Sequence, residues 1–431
     1  MVNSRQIAAD LIMIAFVIFA IVFLGVLGAI NLLPFFFFIL GLILILTKKK
    51  DQLLILFLVT MVTNNLIPQD KFVLGILGVQ QALGILVFLN LKKRTSRKEY
   101  NGKKEINSIL LFILVYIIYY SFKNLYFDLF EYNLSMTISR FINFGFLIYV
   151  TYLIINRSYQ LSIRAVVSCI VFLGVTTFIS SSLAILGYYI SIDGESTNRF
   201  NGFIGNGDAN TLALVMVMGI SVLLNYSLSF KWKKIFLIPF AISIGTIGLT
   251  GSRSGLILLA LAVLIFLFSL KNIKKVVKGL FVLSFVAVLI FPLLETNIER
   301  LQGSQEEQLN LNRGTSNRAG KWVAYLDFFE ANPSTLLRGA DKVISISWDG
   351  SFLVAHNIYI QIVYNSGIFF LIYYVSRMFR LFYYRKKFEG NILIVLVPLA
   401  FGTLFISDYG SILFLIFAVT PFYKNIQPSY K

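Results

Sequence analysis

The chain has 431 residues, 58% of them apolar and only 13% charged, about half the ~25% charged share of an ordinary soluble domain. Its 42 Phe and 22 Tyr, with a mean hydropathy of +0.80, exclude a disordered chain, a collagen-like fibre and a disulfide-knit module, leaving an all-α polytopic membrane bundle. One Cys and one His exclude an intrachain disulfide and an all-Cys/His zinc site, and the net charge of +18 is carried by lysines that punctuate apolar stretches rather than by a basic face for nucleic acid.

A spanning helix needs about 20 apolar residues. In chain order the candidates are Leu11 to Ile30, Leu32 to Thr47, Leu53 to Pro68, Phe72 to Leu91, Ser108 to Phe122, Leu134 to Ile155 and Ala165 to Ile190. Then come Thr211 to Ser227, Ile235 to Leu249, Gly255 to Leu270, Gly279 to Leu294, Asn357 to Ser376, Ile392 to Ile406 and Ser411 to Tyr423. The expected architecture is therefore a single membrane domain over residues 1–431 with about 12–14 transmembrane helices. The stretch Ile235 to Leu270 is 36 residues long and as one helix would reach ~54 Å, too long for a bilayer, so a tight turn is expected at Thr250-Gly251-Ser252-Arg253-Ser254-Gly255.

Orientation follows from the basic residues, because loops on the cytoplasmic side hold the excess of Lys and Arg. Pairing the spans so that both termini are cytoplasmic puts 27 Lys and Arg with five acids (Asp10, Asp51, Glu99, Glu105 and Glu389) inside, against 11 with 15 acids outside. Three outer segments stand out: 191–210, the turn around Arg253, and the 61-residue segment 295–355. Within the last, Ser316 to Ala331 reads as an amphipathic helix, with Trp322, Tyr325 or Leu326, and Phe329 at helical spacing. It is expected on the outer membrane surface, the alternative being a helix packed on the bundle.

Of the 23 Lys only four are outside (Lys71, Lys123, Lys321 and Lys342), whereas seven of the 15 Arg are: Arg140, Arg199, Arg253, Arg300, Arg313, Arg318 and Arg338. A planar guanidinium binds phosphate through two hydrogen bonds and stays ionised, so this bias suits pyrophosphate recognition; pairing with outer acids is the alternative. Arg253 sits in a short turn near the bilayer, where a charge requires an anionic ligand or a carboxylate such as Asp208 or Asp408. Arg199 precedes a glycine-rich approach to a helix start, a setting suited to an anion-binding concavity. His356 is the single histidine and falls where segment 295–355 meets the next span, a position open to a general base or to a structural role. Asp193-Gly194-Glu195 is read as turn chemistry rather than a metal clamp, and neither a cofactor fingerprint nor a metal site is expected.

Together these segments resemble the bacterial O-antigen polymerase and O-antigen ligase superfamily. The stretch Arg199 to Asn210, the Thr-x-Ser-Arg-x-Gly pattern at Thr250 to Gly255, Asn317-Arg318 with Trp322 and Phe328, and Leu337-Arg338-Gly339 follow the family's order. His356-Asn357, nine residues, then Gly367 resembles the ligase motif, while Phe370 departs from it and favours a polymerase. The resemblance implies a glycosyltransferase at the outer face of the bacterial plasma membrane. Its donor and acceptor would be glycans linked to undecaprenyl pyrophosphate, acting without a metal or cofactor, with membrane lipid and a chain-length regulator as candidate partners. On that reading Arg253 and Arg199 hold the leaving pyrophosphate, Arg318 assists, and His356 activates the acceptor hydroxyl with Asn357 in support. The rival readings are a ligase that moves finished polymer and, from another class, a lipid-linked oligosaccharide flippase.

Overall fold

The computed structural model describes residues 3–27, 32–62, 79–90, 104–127, 142, 145–154, 159–185, 209–230, 234–270, 318–340, 357–402 and 422. The first helices are α1 (Ser4–Val26), α2 (Leu33–Leu46), α3 (Lys50–Val62), α4 (Val79–Asn90) and α5 (Lys104–Phe127). Next come α6 (Gly145–Ile154), α7 (Tyr159–Ile185), α8 (Ala209–Ser229), α9 (Leu237–Thr250) and α10 (Arg253–Ser269). The remainder are α11 (Arg318–Ala331), α12 (Thr335–Arg338), α13 (Ile358–Ser366), α14 (Ile368–Tyr383) and α15 (Leu393–Gly402). The expected spans Gly279 to Leu294 and, apart from Phe422, Ser411 to Tyr423 lie outside the described residues, as does most of segment 295–355.

Apolar composition makes these segments helical, since a backbone in lipid must satisfy its own hydrogen bonds. Among the described residues, Ser4–Val26, Leu161–Ser182 and Ala209–Ser229 are long and apolar enough to cross a membrane, and six shorter apolar helices accompany them. The outer surface of the bundle is itself apolar: α1 exposes Ile12, Phe16, Phe19 and Phe23, and α14 exposes Phe369, Ile372, Val375 and Phe379. A lipid-facing surface accounts for such a display where water would oppose it.

The bundle is organised around α8, which is buried along nearly its whole length and packs on α7, α9, α10 and α15. On the far side of α7 stand α1 and α3, with α2 and α4 beyond them; α5, α13 and α14 form a third group. α7 and α9 run alongside each other, Gly174 against Ile242 and Gly245 against Phe178. The C-terminus of α9 therefore lies at the far end of the bundle from Arg164, which is ten residues before Gly174.

At that near end Arg164 joins three helices. Its Nε and Nη2 donate to the two Asp10 carboxylate oxygens at 2.6 and 2.9 Å, and Nη1 donates to Asp51 at 3.2 Å. Asp10 is fully buried, so α1 begins at Ser4, earlier than the apolar run starting at Leu11, and carries Asp10 inside the helix rather than ahead of it. The three side chains belong to the group assigned to one membrane face by the distribution of charge, and they meet.

The run from Asn357 to Ser376, expected as one span, is two helices folded back on each other. In a straight helix residues 15 apart stand ~22 Å apart, yet the Tyr359 and Tyr374 rings lie 6.0 Å apart, placed symmetrically about Gly367. Gly367 makes the reversal with φ +89°, and a Cβ there would stand 2.0 Å from the Leu337 carbonyl oxygen. Hydropathy cannot register this break, because both arms are apolar and the turn depends on a glycine pressed against a distant loop.

Candidate functional site

The first half of the site is the turn between α9 and α10. Gly251, at φ 58° and ψ 24°, ends α9 in the left-handed region, and Ser252 opens α10 by accepting the Gly255 N–H on its Oγ at 3.1 Å. The Ser252 hydroxyl donates to Asn210 Oδ1 at 2.9 Å, and the Ser254 hydroxyl reaches the same oxygen at 3.4 Å. Asn210 is the second residue of α8, so the starts of α8 and α10 are tied side by side. A Cβ on Gly255 would stand 2.6 Å from that of Ala213, which sets how closely the two helices approach. First-turn N–H groups have no intrahelical acceptor and carry the positive end of the helix dipole, so two adjoining helix starts form a setting suited to an anion. Arg253 is the first residue of α10.

The second half is the α13–α14 hairpin with α11 and α12 docked on it. Asn357 caps α13, its Oδ1 accepting the Tyr359 and Ile360 N–H groups at 3.0 and 3.3 Å. α11 lays Tyr325 and Phe329 against Val363, flanked by Tyr364, Ile360 and Leu371, while Val323 and Leu326 remain exposed. Each aromatic so buried contributes on the order of 1.5–3 kcal/mol. The spacing that allowed Tyr325 or Leu326 resolves to Tyr325, which with Phe329 packs on α13.

The turn after α12 closes on the tip of the hairpin. Gly339 has φ +81°, the Ala340 N–H donates to the Tyr364 carbonyl at 2.7 Å, and the Tyr119 hydroxyl of α5 donates to the Arg338 carbonyl at 2.7 Å. Lys123, buried on α5, donates from Nζ to the Asn365 carbonyl at 2.9 Å, and the Asn365 amide donates to the Tyr116 hydroxyl at 3.0 Å. α15 links the halves: it packs on α8 and α10, Gly402 lies against Leu214, and its Ala400 carbonyl accepts the Tyr359 hydroxyl at 3.1 Å.

Parts of four of the five sequence segments singled out above therefore meet as two pairs, Asn210 with 250–255 and 337–340 with 364–367, and the same region carries a relationship to known proteins. Residues 238–375 match the O-antigen ligase family. This supports placement in the O-antigen polymerase and ligase superfamily, and the matched stretch runs from α9 to α14. No curated protein and no solved structure matches the chain.

Within and beside the matched segment the expected site residues are placed unequally. Arg199 and His356 lie outside the described residues, as do Asp208 and Asp408; Arg253 and Arg318 are placed by their backbones as the first residues of α10 and α11. Asn357 precedes α13 directly, with its Oδ1 engaged as a cap. Phe370, whose departure from the ligase motif pointed to a polymerase, packs its ring on Phe112, Tyr116 and Tyr119 of α5 at 6.1, 5.8 and 5.1 Å between centroids. Sequence reasoning missed Tyr119, Lys123 and Tyr359. The one available signal was a lysine at 123 within a run of aromatics, counted there only as an outer charge.

Proposed function

We propose that this chain is a membrane glycosyltransferase that polymerises undecaprenyl-pyrophosphate-linked repeat units into surface polysaccharide, O-antigen or capsule, at the outer face of the bacterial plasma membrane. The observation that carries the reading is the joining of two helix starts at Asn210 and Ser252 with Arg253 at the first position of α10, inside the family-matched segment. There the donor's pyrophosphate meets N–H groups and a guanidinium, with Arg199 and Arg318 completing the cationic surround. An acceptor sugar hydroxyl attacks the anomeric carbon of the donor, the bond from that carbon to the pyrophosphate oxygen breaks, and its electron pair leaves on the lipid pyrophosphate. His356 takes the hydroxyl proton and Asn357 fixes the helix that follows. Negative charge grows on the leaving group, so cations already in position stabilise the transition state more than the ground state.

The family description favours a second reading, a ligase that transfers finished glycan to another acceptor. Reconstitution in liposomes with a lipid-linked single repeat tests both. Wild type should lengthen chains without an ion gradient and in the presence of a chelator, and His356→Ala should lose on the order of 10²–10⁴ in rate. Cells lacking the gene should accumulate single-repeat lipid; accumulation of long unattached polymer would make the chain a ligase, and translocation without elongation would make it a flippase.

A further inference from the structure

α13 is nine residues long, and its two ends do different things. The first follows Asn357 and is tied to α15 through Tyr359 and Ala400; the last is gripped from α5. On α13 itself Lys123 Nζ donates to the Asn365 carbonyl and the Asn365 amide donates to the Tyr116 hydroxyl; the 337–340 turn is tied in by the Tyr119 hydroxyl on the Arg338 carbonyl and by the Ala340 N–H on the Tyr364 carbonyl. Substituted glycines would not fit it: a Cβ on Gly339 would meet the Asn365 carbonyl and Lys123 Nζ, each at 2.7 Å. Lys123 is only 8% exposed, and an ammonium so buried is costly unless it is hydrogen-bonded, here to the Asn365 carbonyl. That bond holds the backbone at the C-terminal end of α13, two residues before the reversal at Gly367.

We infer that Tyr119 and Lys123 are positioning residues for the transfer reaction: they latch the 337–340 turn and the end of α13 so that α11, docked on the same helix, and Asn357 at its start are held in one arrangement. Both stand on α5, more than a hundred residues before the family-matched segment begins at 238. The latch acts through α13 and touches no reacting atom. The inference rests on the glycosyltransferase reading for its effect on rate, while the latch itself can be read without activity.

The Arg338–Gly339 peptide bond is a tryptic site whose carbonyl Tyr119 holds, so cleavage there reports opening of the latch. Purified full-length protein in nanodiscs is treated with trypsin, and that one bond is followed by mass spectrometry. Cleavage of a transiently opened site tracks the open population, so Tyr119→Phe should accelerate it about tenfold and Lys123→Met by on the order of tenfold to a hundredfold. With lipid-linked repeat as substrate, kcat should fall by on the order of tenfold or more in both variants at unchanged KM, since small misplacement of a catalytic group costs rate rather than binding. Cleavage unchanged in Tyr119→Phe overturns the latch. Faster cleavage with wild-type kcat overturns its positioning role and leaves a purely structural contact. A wild-type protein that transfers no sugar overturns the glycosyltransferase reading and with it the positioning role, and the cleavage rates still decide whether the latch exists. Lys123→Met failing to fold leaves Tyr119→Phe, which removes a single oxygen, to decide.

Discussion

Arg164 and Arg253 are the same residue type at opposite ends of one bundle, and the fold treats them differently. Around Arg164 it supplies carboxylates: Asp10, fully buried, takes two of the guanidinium nitrogens, and the half-exposed Asp51 takes a third. Around the backbone of Arg253 it supplies hydroxyls, an amide oxygen and two helix starts. A charge neutralised on three sides by its own protein is an anchor, joining α1, α3 and α7. A helix start carries the positive end of its dipole, a setting suited to the anion that the proposed reaction would bring.

The comparison predicts unequal failures, and the largest belongs to the anchor. Arg164→Leu leaves Asp10 buried without its cation and should cost on the order of 3–5 kcal/mol, read as loss of monodisperse protein or a large fall in the thermal midpoint in detergent. Asp51→Asn, at the exposed edge of the same cluster, should cost less than about 1 kcal/mol. Equal effects from the two would mean that burial does not rank these contacts.

Arg253 should fail in the opposite sense. Arg253→Lys keeps the charge and loses the planar fork, so transfer should fall by on the order of 10²–10³ while the thermal midpoint stays at the wild-type value. Full-length polymer at normal levels from Arg253→Lys would remove the bidentate argument. A collapse of the thermal midpoint would make Arg253 a second anchor and erase the contrast with Arg164.

How these differences stood in the sequence depends on what each requires. The α9–α10 turn was legible: a largely apolar stretch of 36 residues cannot be one span, and glycines marked where the chain turns, within two residues of the observed break. α2 was legible to a residue at each end, because Pro34 and the lysines after Thr47 bound an apolar run. The α13–α14 reversal was not, although Asn365-Ser366-Gly367 interrupts the run, because a span tolerates one such break and the close approach of Gly367 to Leu337 is long-range. Lys123 was misread for a similar reason. A lysine near a helix end ordinarily marks a loop, and only the meeting of α5 with 337–340 and Asn365 turns it inward. Local composition carries the helices, then, and the contacts that aim them are long-range.

A small effect falls on Asn357, the one expected site residue whose side chain the structure describes. Its Oδ1 is spent on the Tyr359 and Ile360 N–H groups, which assigns it to the helix start as well as to the place beside His356. Asn357→Ala should cost about 1 kcal/mol through the lost cap, whereas Asn357→Asp and Asn357→Ser, which cap equally well, should restore that stability. Transfer separates the roles. If capping alone matters, Asn357→Ser transfers like wild type, because α13 starts in the same place. If the amide also supports the acceptor, Asn357→Ser regains the thermal midpoint without regaining rate, and the first turn of α13 becomes part of the site in the way the first turn of α10 is proposed to be.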